Sequence, residues 1–127
     1  MTDGQIGLGD FRVDPRNETL WHGARELRVR PKAFTVLLHL LNHAGQLVTK
    51  DELLRVVWPD TVVSEAALSV SIGELRRKLG DDAKTPRYIE TVHRRGFRFV
   101  GKVANSQEGE NQKAKGKRQK AKIKRQK

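Results

Sequence analysis

Two groups of basic side chains have the chemistry to bind phosphates or the edges of nucleobases. Residues 76–78 read Arg-Arg-Lys near the end of a helical pattern, and residues 93–95 read His-Arg-Arg between two apolar runs. Guanidinium groups donate paired hydrogen bonds to phosphate oxygens and to the O6 and N7 atoms of guanine. Each group also has an ordinary structural explanation, because cations complement the negative end of a helix dipole and arginines at turns are often solvated. Together they favour contact with a nucleic acid.

The helix that carries the first group has two different faces. It is predicted to run from Ser64, its N-cap, to Leu79, with Gly80 as its C-terminal stop. One face is a narrow apolar stripe that predicts burial, formed by Leu68, Ile72, Leu75 and Leu79. The opposite face is mostly small and consists of Ala66, Val70, Gly73 and Arg77, with Ser69 and Arg76 on one flank and Glu74 on the other. Because small side chains permit close approach, this face suits the major groove of DNA, which is about 12 Å wide.

Short antiparallel strands and a first helix are predicted ahead of this element. Apolar and polar residues alternate around Arg12 and Arg28, and the turn-forming segment 14–17 lies between the strands. Pro31 then begins a helix that is predicted to end near Ala44, before Gly45. The sequence therefore predicts a small β-meander followed by helices.

A second helix and a terminal hairpin complete the predicted elements. Thr49 and Glu52 form a capping-box pattern in which the hydroxyl and the carboxylate satisfy unpaired amides, and the helix is predicted from Lys50 to about Trp58. The loop 59–63, from Pro59 to Val63, leads to the third helix. Residues 88–92 and 97–100 are rich in aromatic and β-branched types, which predicts a hairpin with the second basic group at its tip.

The positive charge is concentrated at one end of the chain. The net charge is +11, and residues 113–127 contain nine basic residues and no acid, which leaves +2 for residues 1–112. From Asn105 onward there is almost nothing to bury, so a disordered tail is predicted. Such a tail would bind DNA, RNA, acidic proteins or anionic lipid by the same electrostatics and would not select among them.

Several classes of function are disfavoured by composition. The absence of cysteine removes disulfides and thiolate nucleophiles, and the most apolar stretch, 36–41, is too short to cross a bilayer. The opening residues do not resemble a secretory signal, so a cytoplasmic protein is expected. No Ser, His and acid set stands out, and the glycines at 4, 7 and 9 do not form a phosphate-binding fingerprint. We therefore expect neither an enzyme nor a cofactor.

Two histidines have the spacing of a metal-binding pair. His39 and His43 are four residues apart on the first helix, but no Glu follows His39 and no third ligand is apparent in the sequence. Both fall opposite the apolar stripe of that helix, so solvated histidines and no metal are expected.

Three segments resemble the OmpR/PhoB family of winged helix-turn-helix DNA-binding domains. They are Leu-Leu-Arg-Val-Val-Trp at 53–58, Val-Ser-Ile-Gly-Glu-Leu-Arg-Arg-Lys-Leu-Gly at 70–80, and Tyr-Ile-Glu-Thr-Val-His-Arg-Arg-Gly-Phe-Arg-Phe at 88–99. The resemblance covers about residues 6–103 and is strongest to the CadC-like branch, in which the domain is N-terminal and follows no receiver domain. It implies an α+β fold with an N-terminal antiparallel β-meander, a three-helix core and a C-terminal β-hairpin wing. The disordered basic tail would occupy residues 104–127.

The resemblance also implies a transcription regulator with its third helix in the major groove of double-stranded DNA and its wing on the minor groove or backbone. The DNA-binding residues expected from it, and from the charges above, are Thr49, Trp58, Ser69, Val70, Gly73, Arg76, Arg77, Thr91, His93, Arg94 and Arg95. The loop 59–63 matches a segment that can face RNA polymerase. Response regulators often carry Arg at the places of Ala66, Gly73 and Glu74, so a different base readout is expected here. Such a protein would be cytoplasmic and associated with the nucleoid.

Two functions stay open on the sequence. One is sequence-specific DNA binding by a bacterial transcriptional regulator. The other is a nonspecific nucleic-acid or protein-interaction module whose basic tail supplies the affinity. The small face of the third helix favours the first, because a tail alone needs no such face.

Overall fold

The computed structural model describes residues 5–105 of the chain. Its helices are α1 (Pro31–Asn42), α2 (Lys50–Val57) and α3 (Glu65–Leu79). Its strands are β1 (Ile6–Leu8), β2 (Phe11–Asp14), β3 (Thr19–His22), β4 (Arg25–Leu27), β5 (Leu47–Thr49), β6 (Ile89–Val92), β7 (Gly96–Phe99) and β8 (Ala104–Asn105). The predicted α+β order of meander, three helices and terminal hairpin is confirmed.

Strands β1 to β4 form the antiparallel meander, and β8 extends it in the order β4-β3-β2-β1-β8. The turn after β2 is held by Asp14, whose carboxylate accepts hydrogen bonds from the Arg16 amide at 3.1 Å and the Asn17 side-chain amide at 2.8 Å. Ala104 pairs with Gly7 of β1, so regular structure continues past residue 104, where the tail was predicted to begin. The prediction was wrong at this boundary because the partner strand lies at the other end of the sequence. The remainder of the predicted tail, 106–127, lies outside the described residues.

The helix ends follow the chemistry that predicted them. Pro31 is the first residue of α1, and α1 ends at Asn42, slightly earlier than predicted. The Ser64 hydroxyl accepts a hydrogen bond from the Ala66 amide at 3.2 Å and so begins α3. Gly80 has a left-handed φ of 66°, which closes α3 without the strain that a Cβ would add.

The predicted capping box at α2 forms in one direction only. The Thr49 hydroxyl accepts a hydrogen bond from the Glu52 amide at 3.1 Å, as predicted. The Glu52 carboxylate instead lies 2.6 Å from His39 Nε2 on α1. The prediction was wrong for Glu52 because an imidazole on the neighbouring helix competes for its carboxylate. The hydrogen bond from His39 holds the pKa of Glu52 below its usual value.

One apolar core joins the helices to a second sheet, whose strand order is β5-β7-β6. The apolar stripe of α3 is fully buried there, together with Phe34 of α1 and Phe99 of β7. Each such side chain contributes about 1.5–3 kcal/mol by leaving water. Gly96 lies where β7 meets β5, and a Cβ on it would collide with the Val48 carbonyl oxygen and lie 2.8 Å from Thr49 Cα. Only glycine therefore lets the hairpin dock this closely.

None of the helices within residues 5–105 has the length and apolar character that a membrane span requires.

Candidate nucleic-acid interface

The face of α3 that was predicted to bind DNA is exposed. Ser69, Val70, Gly73 and Arg77 all point away from the core, and 61% of Val70 is accessible to solvent. A Cβ built on Gly73 meets no atom within 4 Å. Packing within the domain therefore does not require glycine at this position, and the face is open for another surface to approach.

Glu74 does not flank this open face as the helical projection suggested. It is 7% exposed, and its Oε2 atom accepts a hydrogen bond from the Arg30 amide at 2.9 Å, just ahead of Pro31. The carboxylate thereby satisfies an amide at the start of α1 that has no partner within the helix. The acidic residue thus fixes α3 to the start of α1.

Arg76 is turned toward the hairpin. Its Nη2 atom donates hydrogen bonds to the Ile89 carbonyl at 2.9 Å and to the Thr91 hydroxyl at 2.8 Å. Within residues 5–105, its Nε atom is buried without a hydrogen-bond partner, and burial lowers the pKa of the guanidinium. Two residues predicted to touch DNA, Arg76 and Thr91, therefore contact each other and connect α3 to the wing.

The wing tip presents three exposed polar side chains, His93, Arg94 and Arg95. The Arg95 amide donates to the Val92 carbonyl at 2.9 Å, which closes a tight turn, and Arg94 adopts a left-handed φ of 65°. The Arg95 carbonyl accepts a hydrogen bond from the Lys50 amide at 3.1 Å. This bond fixes the cationic tip beside the first residue of α2.

The structure places Thr49 and Trp58 at opposite ends of α2. Thr49 is exposed and pairs with Gly96 of the wing, so it belongs to the same surface as the wing tip. Trp58 is half-buried at the C-terminal end, about 13.5 Å away by helical rise, with Lys32 Nζ 6.0 Å from its ring centroid. Among the predicted residues, Arg76 thus contacts Thr91 of the wing, Thr49 pairs beside the wing tip, and Trp58 lies apart at the other end of α2.

The loop 59–63 adjoins Trp58 and is highly exposed. Val62 is 101% accessible, a value typical of a side chain with no intramolecular cover. Beside it a shallow pocket of about 430 Å³ is lined by Leu54, Arg55, Trp58, Pro59, Thr61, Val62 and Val63.

Residues 24–99 match the family described as "Transcriptional regulatory protein, C terminal". The chain belongs to this OmpR/PhoB-type family. The family consists of transcription-regulator domains and is not a class of enzymes. Its winged-helix architecture accounts for the meander, the three helices and the wing described above.

The chain is similar in sequence to bacterial transcriptional regulators. The chain is 32% identical over 113 residues to the transcriptional activator CadC of Escherichia coli K12. It is 34% identical over 98 residues to the alkaline phosphatase synthesis transcriptional regulatory protein PhoP of Bacillus subtilis 168. These matches cover 87% and 76% of this chain but 22% of CadC and 41% of PhoP. The chain therefore spans less than half the length of either relative.

Solved OmpR/PhoB-type structures share the fold. The DNA-binding domain of E. coli CadC superposes with a TM-score of 0.71 at 28% identity, covering 83% of this chain and 99% of that one. The Klebsiella pneumoniae RstA DNA-binding domain, in complex with the RstA box, gives a TM-score of 0.66 at 31% identity, covering 76% and 96%.

Sequence reasoning missed the residue that orders the connection from α3 to the wing. Both carboxylate oxygens of Asp81 accept backbone hydrogen bonds, from the Arg87 amide at 2.7 Å and from the Tyr88 and Ile89 amides at 3.2 and 2.9 Å. An aspartate after a helix-stopping glycine is the one local signal, because short acidic side chains commonly bond nearby amides. Asp81 thereby sets the position at which β6 begins.

Proposed function

We propose that this domain binds double-stranded DNA in a sequence-specific manner as part of a bacterial transcriptional regulator. The observation that carries the proposal is the open face of α3, which is small at its centre and lies beside a wing with a cationic tip. Membership of the OmpR/PhoB-type family supports it, as does the RstA relative, whose DNA-binding domain was solved on its DNA box. In this arrangement α3 enters the major groove and the wing contacts the minor groove or the backbone.

The residues take different roles in this proposal. Ser69, Val70 and Gly73 face the bases, and Gly73 permits close approach. Arg77, His93, Arg94, Arg95 and Thr49 contact phosphates or base edges at the rim, since their side chains are exposed. Arg76 and Thr91 act indirectly by holding the wing against α3, because their polar atoms already bond each other. Trp58 supports the far end of α2.

We propose further that residues 6–105, which include the last strand of the meander, form the DNA-binding domain, and that the basic segment after them adds affinity without sequence preference. Such a protein acts in the cytoplasm, on the nucleoid. The tail carries most of the net charge, so its lysines and arginines release counterions from DNA with a slope of about −0.9 per phosphate contact.

The loop 59–63 is proposed as a contact for RNA polymerase. Its support is the exposed Val62 beside the apolar pocket at Trp58, since an uncovered apolar side chain next to a pocket favours a protein partner. Val62→Asp should reduce transcription from a dependent promoter and leave DNA affinity unchanged. A loss of DNA affinity, or no change in transcription, would contradict this contact.

The main proposal is tested by selecting binding sites from a random duplex pool with the 127-residue chain and with a chain ending at residue 112. Both should recover the same consensus, and the shorter chain should bind it with a flatter salt dependence, measured by gel shift. If the shorter chain shows no preference between the consensus and scrambled DNA, the tail is the binding element and the proposal fails.

A further inference from the structure

Three potential metal ligands from two helices converge on the side of the domain where α1 ends and α2 begins. His39 and His43 lie one turn apart on α1, with ring centroids separated by 4.5 Å. Glu52 reaches them from the first turn of α2, and its Oε2 atom lies 2.6 Å from His39 Nε2. One ligand atom from each residue lies within 4.8 Å of the other two. The third ligand that the sequence did not reveal is therefore Glu52.

The expectation of solvated histidines was wrong. The His39 side chain is 16% exposed and the Glu52 side chain 35%, so both are partly covered while keeping a path to solvent. The helical projection placed the histidines correctly opposite the core, but α2 packs over that face. A single sequence does not show which helix covers another.

The hydrogen bonding around His43 indicates which of its ring nitrogens keeps a free lone pair. His43 Nδ1 lies 2.9 Å from the His39 carbonyl oxygen, which can only accept, so Nδ1 carries the proton. In the neutral ring, Nε2 then holds the free lone pair. An imidazole that donates its other N–H to a backbone carbonyl is the usual arrangement of a histidine metal ligand, because that bond fixes the tautomer and the ring orientation.

We propose that His39, His43 and Glu52 form a binding site for a divalent transition-metal cation of the zinc class. Two imidazole nitrogens and one carboxylate oxygen are a ligand set that suits Zn²⁺, with the fourth tetrahedral position left to water. The cation would take the place of the hydrogen bond between His39 and Glu52, and the carboxylate would offset part of the metal charge.

Such a cation would link the end of α1 to the start of α2. The same end of α2 bears Thr49 and bonds the wing tip through the Lys50 amide. Bound metal would stabilise the folded domain by mass action, since it binds the folded arrangement of two separate helices and not the unfolded chain.

The test is calorimetric titration of the untagged 127-residue chain with Zn²⁺ at neutral pH, together with thermal melts with and without Zn²⁺. We expect one Zn²⁺ per chain and a higher melting temperature with Zn²⁺. His43→Ala and Glu52→Gln should each weaken Zn²⁺ binding at least about tenfold, which is about 1.4 kcal/mol. Glu52→Gln keeps the size of the side chain and a hydrogen-bonding oxygen for His39. Weaker Zn²⁺ binding by this variant would therefore report the lost carboxylate ligand and not an unfolded domain.

His22→Gln is the matched control, because His22 stacks on Phe11 in the N-terminal sheet, outside the proposed ligand set. It should bind Zn²⁺ with unchanged affinity. Absence of saturable Zn²⁺ binding to the natural chain would overturn the proposal and leave His39 and Glu52 as a simple hydrogen-bonded pair. Equal Zn²⁺ affinity in the natural chain, His43→Ala and Glu52→Gln would also overturn it, since the cation would then bind elsewhere.

Discussion

Packing within the domain does not require glycine at position 73. Glycine costs the middle of a helix about 1 kcal/mol relative to alanine, and a side chain at this position would meet no other atom within 4 Å of its Cβ. Gly73→Leu should therefore raise the melting temperature slightly and sharply weaken binding to the preferred DNA site by steric exclusion. Melting curves and gel shifts on the selected site measure the two effects.

Gly73→Ala is the control for the size of the side chain. It should give a similar gain in stability and a smaller loss of DNA affinity. A Gly73→Leu protein that melts higher and keeps its affinity for the preferred site would show that this face does not approach DNA closely.

Arg76 and Arg77 are neighbours in sequence, but substituting them should have different effects on stability and on DNA affinity. Arg76→Met removes the charged donor from the Ile89 carbonyl and the Thr91 hydroxyl, so the free energy of unfolding should fall by about 1–3 kcal/mol and amide exchange in β6 should accelerate. Arg77→Met should leave both unchanged and lower DNA affinity directly. If Arg76→Met keeps full stability and protected β6 amides, the hydrogen bonds to the wing are not structurally important.

The exposure of single residues on α3 was predictable, whereas their partners were not. Ser69, Val70 and Gly73 are exposed because helical angle is a local property of the sequence. The bonds of Arg76 to the wing and of Glu74 to Arg30 join residues 13 to 44 positions apart. Such pairs depend on how the elements pack, and no local pattern encodes them.

At the scale of elements, the wing should act on DNA through charge. Replacing both Arg94 and Arg95 with Ala should weaken binding to most sequences by a similar factor, and each lost phosphate contact should reduce the salt slope by roughly 1. Gel shifts on the selected site and on scrambled DNA over a range of salt concentrations measure this. The control is Arg25→Ala, which removes an exposed arginine from β4. Unchanged affinity of the double variant would assign the wing arginines to solvent.

The turn between β2 and β3 should make a pH-dependent contribution to stability. The hydrogen bond from the Asn17 side chain, with the Asn17 and Arg16 amides, holds the pKa of Asp14 below its ordinary value of 3.8. A lowered pKa in the folded state gives stability that is present above the ordinary pKa and is lost as the pH falls through the folded value. Asp14→Asn should therefore be less stable than the natural chain at neutral pH, with a difference that shrinks on acidification.

Urea unfolding at neutral pH and below pH 3.8 tests this prediction. A stability difference that stays constant between the two conditions would mean that the charge of Asp14 plays no part in the turn.

Helix boundaries were predictable from capping chemistry, but strand pairing was only partly so. Ser64 and Gly80 delimit α3 as predicted, because caps act within one turn. The addition of β5 to the hairpin and of β8 to the meander was not predicted, since each pairs segments that are distant in sequence. The same limit explains why the tail boundary at residue 104 was placed too early.

At the scale of the whole molecule, an OmpR/PhoB-type fold presents the proposed DNA-binding face, which consists of α3, the wing and Thr49. The order of elements followed from periodicity and turn chemistry, and the resemblance supplied their arrangement in space. The +2 charge of residues 1–112 means that recognition depends on where the charges lie, because the domain has no uniformly basic surface.

The most direct test is an amide chemical-shift titration of the isotope-labelled 127-residue chain with the selected duplex and with scrambled DNA. We expect the selected duplex alone to shift the amide signals of the exposed face of α3 around Val70 and Gly73, and both duplexes to shift those of the wing tip and of residues 113–127. Shifts confined to residues 113–127 with either duplex, and none on α3, would contradict sequence-specific binding by this domain.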